Sequence, residues 1–86
     1  MKTLIAPIVN NNGSSKDNLL EDYLAIKAAL DEALHIMARG TPNGRDYQTV
    51  DPGIASAARE AHSERMKIIK DMRDEFYAIA IEVSKQ

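Results

Sequence analysis

Four residues within one short stretch, Asn43, Arg45, Asp46 and Tyr47, carry side chains suited to holding a small ligand. A guanidinium presents a planar fork of donors that matches a phosphate or a carboxylate. A tyrosine two positions on stacks against a planar group or donates its hydroxyl. Asn43 and Asp46 add hydrogen-bonding groups on either side. The surrounding segment, residues 40–52, is longer than the roughly 2–8 residues that suffice to turn one helix back on another. That length points to a recognition loop. The plainer alternative is a turn in which Arg45 and Asp46 make local salt links. Asn43-Gly44 is a turn signal that predicts positive φ at Gly44.

A second polar cluster, Asn12-Gly13-Ser14, precedes a predicted helix. Backbone N–H groups at a helix start attract anions, although such residues more often serve as plain caps. Within one hairpin this turn and the 40–52 loop lie at opposite ends of a helix about 36 Å long, so only a neighbouring chain could bring them together. His62 and Arg65 fall on a stripe where apolar residues belong. Either they snorkel to water or pair with Asp31, Glu32 or Glu64, or Arg65 joins Arg45 behind an anion. Glu32-x-x-His35 matches the pair found in di-iron bundles. Its companion carboxylates would have to come from Glu60 or Glu64, so no metal or cofactor is expected. Catalysis is not expected either: there is no Cys, no nucleophile elbow, no phosphate loop and no dinucleotide-binding glycine pattern.

The elements that must position these groups are two long helices. Leu19, Tyr23, Ile26, Leu30, Ala33 and Met37 recur at spacings of four and three and predict a helix over 15–39. Leu20, Leu24 and Leu34 widen its apolar stripe beyond what one partner helix covers. Ser15, or Ser14 with Asp17, caps its start, while Gly40 and Pro42 end it. Asp51-Pro52 opens a second helix over 52–84, with the seam Ala55, Ala58, His62, Arg65, Ile69, Met72, Phe76, Ile79 and Val83. Lys67/Asp71 and Lys70/Asp74 are expected to support its solvated side. The second helix is expected to outrun the first at its far end. There an extended N-terminal arm, residues 3–9 within a 1–13 arm-and-turn segment, would cover Phe76, Ile79 and Val83, in cis or from a partner.

The chain has 86 residues and a net charge of −2, with no basic run. This argues against general nucleic-acid or membrane-surface binding. Helix-turn-helix DNA binding would need shorter helices and a tighter turn. The first nine residues are too short and too broken by Pro7 for a signal-peptide core. A cytoplasmic protein is the expectation. Two helices cannot enclose a core, so the expected fold is a single all-α domain, a long antiparallel hairpin with an extended arm, assembling into an oligomeric helical bundle.

Asn12-Gly13-Ser14 and Pro42-Asn43-Gly44-Arg45-Asp46-Tyr47, followed by Glu60, His62 and Arg65 on an amphipathic helix, resemble a family of short proteins of phages and prophage-like elements. Gln48 stands where members of that family often have a second aromatic. The resemblance implies a context, the host-cell cytoplasm, rather than a mechanism. In that context the expected function is non-enzymatic: binding or sequestering a small anionic, nucleotide-like ligand, with counter-defence as its purpose. Asn43, Arg45, Asp46 and Tyr47 would form the pocket, completed by Asn12, Gly13 and Ser14 of a neighbouring chain and backed by Arg65. The alternative is a protein–protein adaptor or inhibitor acting through its helical faces or its arm.

Overall fold

The computed structural model describes residues 4–47 and 51–86. It is an all-helical hairpin. Helix α1 runs Lys16–Arg39, a 3₁₀ turn spans Gly44–Tyr47, and helix α2 runs Pro52–Ser84. The whole is a rod of 62 × 23 × 17 Å.

Each helix end follows from a local polar group. The Ser15 hydroxyl accepts from the Asn18 amide, and an Asp51 carboxylate oxygen accepts from the Gly53 amide with Pro52 just inside the helix. At the end of α1, the Gly40 amide donates to the carbonyls of Ile36 and Met37, and the Thr41 hydroxyl donates to Ala38. His62 on α2 completes this cap from across the hairpin: its Nε2 lies 2.6 Å from the Met37 carbonyl oxygen. A carbonyl only accepts, so Nε2 carries the proton.

The register is set by this contact and by Tyr23 beside Phe76, whose ring centroids are 6.1 Å apart. It corrects two expectations. The far ends of the helices are nearly flush, with the Lys16 ammonium donating to the Gln86 carbonyl at 3.4 Å. The excess length of α2 lies instead at the loop end, where its first two turns extend past Arg39 and the 3₁₀ turn packs beside them. Ala55 and Ala58 are half-buried there although α1 has already ended. Small side chains let a loop lie close against a helix.

The second correction concerns the seam. In α2 the side chains turned inward are His62, Met66, Ile69, Arg73, Phe76, Ala80 and Val83, whereas Arg65 and Met72 are exposed. In α1 Lys27 is half-buried and Ile26 is exposed. A strict heptad holds only if helices supercoil to 3.5 residues per turn. The spacing from Ala55 through Ala58 and His62 to Met66 covers eleven residues, nearer the pitch of a straight helix; it replaces Arg65, Met72 and Ile79 in the seam by Met66, Arg73 and Ala80, while Ile69, Phe76 and Val83 stay.

Among the described residues only Ala80 and Val83 are buried. Both lie near the end of α2, where the side chain of Gln86 is tied to the chain's first residues. Its Oε1 accepts from the Val9 amide at 2.7 Å, and its Nε2 donates to the Pro7 carbonyl at 2.8 Å. Residues 4–10 have no regular secondary structure. Thr3 of the expected arm lies outside the described residues. Gln86→Ala should release this tie, speeding hydrogen exchange at the Val9 amide while leaving the amides of central α1 and α2 unchanged. Exchange measured by mass spectrometry on both regions checks it.

Candidate functional site

The 43–47 turn is built around Asn43. Its side-chain oxygen accepts from the Arg45 amide at 3.0 Å, and its carbonyl accepts from the Asp46 amide at 3.2 Å. An asparagine that bonds the backbone two residues on starts a right-handed turn. Gly44 is the first residue of the resulting 3₁₀ turn. Arg45 and Asp46 are exposed and Tyr47 is half-buried. Among the described residues no carboxylate forms an ion pair with Arg45. Gln48, Thr49 and Val50 of the expected recognition loop lie outside the described residues.

The other expected site residues are placed elsewhere. Asn12, Gly13 and Ser14 lie before α1, at the opposite end of the rod. The turn there is organised by Asn10. Its side-chain oxygen accepts from the Asn12 amide at 2.9 Å, its carbonyl accepts from Gly13 at 3.4 Å, and its side-chain nitrogen donates to Ile8. Two amides that would face an anion are thus already bonded within the turn. Arg65 is exposed on α2, about 20 Å along the helix axis from Pro52. One chain thus brings together Asn43, Arg45, Asp46 and Tyr47, but neither the 12–14 turn nor Arg65.

A polar layer crosses the middle of the hairpin, and sequence reasoning missed it. Asp31 receives Lys27 at 2.6 Å and Arg73 at 3.1 Å, and Arg73 also grips Asp74 at 2.9 Å. The Lys27 ammonium sits 5.4 Å from the centre of the Tyr77 ring. Asp31 and Asp74 thus pair with Arg73, not with His62, Arg65 or Lys70 as the spacings suggested. The signal was present in the sequence: Lys27-x-x-x-Asp31 is an i,i+4 pair, and the corrected seam brings Arg73 to it. Glu32 and His35 are both exposed. No three His, Cys, Asp or Glu side chains converge as a metal site among the described residues.

The hydrogen bond from Lys27, with that from Arg73, holds the Asp31 carboxyl below its ordinary range. A carboxylate favoured in the fold stabilises the protein above its unfolded value, and that contribution fades as the pH falls through the lower folded value. Asp31→Asn should therefore narrow the stability gap to wild type as the pH drops below about 4. Urea midpoints taken from neutral to strongly acidic pH check this, and a gap that widens in acid would contradict it. No helix among the described residues is long and apolar enough to cross a membrane. No protein-family model, curated protein or solved structure matches the chain.

Proposed function

We propose that the chain is a non-enzymatic binding protein that self-associates and holds a small anionic ligand at the 43–47 turn. One observation carries this reading: Arg45 is exposed, has no carboxylate partner among the described residues, and stands on a turn fixed by Asn43 beside a half-buried Tyr47. The turn spends its backbone groups internally and leaves the guanidinium to the ligand. Arg45 would fork to a phosphate or carboxylate, Tyr47 would lie against its planar part, and Asp46 would select for donors. The resemblance to small phage and prophage-type proteins supports sequestration of a nucleotide-like compound in the host cytoplasm, as a counter-defence, over turnover. If the 12–14 turn of another chain completes the pocket, the assembly must place opposite ends of two hairpins side by side.

A second reading, an adaptor or inhibitor acting through its helical faces, is favoured by the number of large apolar side chains left at the surface, Ile36, Ile54, Ile68 and Tyr77 among them. Isothermal titration with a panel of nucleotides and inorganic phosphate separates the two. Arg45→Ala should weaken binding at least about tenfold, the scale of one charge-assisted fork, with oligomer size unchanged. Equal binding by the variant would remove Arg45 from the site. A partner protein whose binding survives Arg45→Ala would favour the adaptor.

A further inference from the structure

Position 70 of α2 is the centre of a palindrome. Ala61, Arg65, Ile68, Met72, Glu75 and Ile79 follow one another at spacings of four, three, four, three and four, a pattern that reads the same from either end. At about 100° per residue these six fall on one stripe of α2. The stripe flanks the seam with α1 on the side away from Lys27, Asp31, Arg73 and Tyr77. Ile68 is 60% exposed and Met72 40%. Arg65 is exposed and Glu75 half-buried, and neither takes part in an ion pair among the described residues.

We infer that this stripe is covered by a second copy of the chain, lying antiparallel across a two-fold axis level with position 70. In that arrangement Arg65 of each protomer meets Glu75 of the other, Ile68 meets Met72, and Ala61 meets Ile79. Three observations support it. The charges are self-complementary, as an isologous interface requires. Each small residue meets a large one, which lets the two helices approach closely. Helix α1 fits the same axis. Ile26 and Ala33 fall on the same side of the hairpin, and their midpoint lies between Ala29 and Leu30. The register set by Tyr23–Phe76 and Met37–His62 places position 70 within about one residue of that midpoint. One axis therefore serves both helices.

The area agrees. The chain exposes 6510 Å², whereas a compact monomer of this size exposes about 5,000 Å². The difference, about 1,500 Å², comfortably covers the roughly 800 Å² per partner of a standard interface. This inference deepens the self-association part of the proposed function and is independent of the ligand. It also accounts for one arginine and one glutamate on a stripe whose other four residues are apolar.

The test is a charge swap on the full chain, with molecular mass followed over a concentration series by sedimentation and helicity by circular dichroism. The wild type should be a dimer. Arg65→Glu and Glu75→Arg should each weaken it at least about tenfold, because symmetry makes every reversal count twice. The double variant Arg65→Glu/Glu75→Arg should regain wild-type affinity. Rescue in the double variant keeps the test decisive even if the single variants lose their fold along with their partner. A monomeric wild type would overturn both the self-association and the interface. A dimer indifferent to the single changes, or one not rescued by the double, would overturn this interface while leaving self-association standing.

Discussion

Two helices in contact share one line of side chains, and a line cannot surround anything. That limit governs the rest of this molecule. A side chain on the seam is covered by the opposite helix but keeps both flanks in water unless something else lies there. Among the described residues, burial becomes complete only near the end of α2, where Gln86 ties residues 7–9, at Ala80 and Val83. Elsewhere the seam tolerates groups that a closed core would reject. Lys27, Asp31 and Arg73 sit at mid-hairpin because their charged ends still reach solvent from one side. His62 sits farther along because a helix-end carbonyl there wants a donor.

The two sides of the hairpin are consequently unlike. One carries the Lys27–Asp31–Arg73–Asp74 chain of charges and Tyr77. The other carries Ile26, Ile68 and Met72. A side built from exposed ion pairs contributes little stability but stays hydrated. A side built from isoleucine and methionine gains by losing its water. The asymmetry makes the two flanks unequal as surfaces: one is already hydrated by its ion pairs, and the other has apolar area to lose to a partner.

The all-helical hairpin was legible because its signals are local: Ser15 and Asp51 as caps, Pro52 just inside a helix, Gly40 and Pro42 as a stop, and long apolar periodicity between them. The inward face was less legible. A heptad and an eleven-residue step differ by one position after three turns, and in α2 both paths meet apolar residues at Ile69, Phe76 and Val83. Only coordinates choose Met66 over Arg65 and Arg73 over Met72. The direction in which α2 overhangs was hidden because it depends on where the loop lies, and the alanines at 55 and 58 that admit the loop look like any weak seam. At the turn, Asn43 was legible as a polar group but not as the residue that spends itself holding Arg45 and Asp46.

The ties to Met37 from His62 and to Pro7 and Val9 from Gln86 sit near opposite ends of the seam between α1 and α2. A smooth helical seam is prone to slide, since a shift of one turn, about 5.4 Å, brings similar side chains back into contact. Here such a slip would tear both ties at once, so the two act like pins through either end of a hinge strap. The hairpin is thereby held at a single setting, and whatever reads its side sees one fixed spacing of charges rather than a sliding scale.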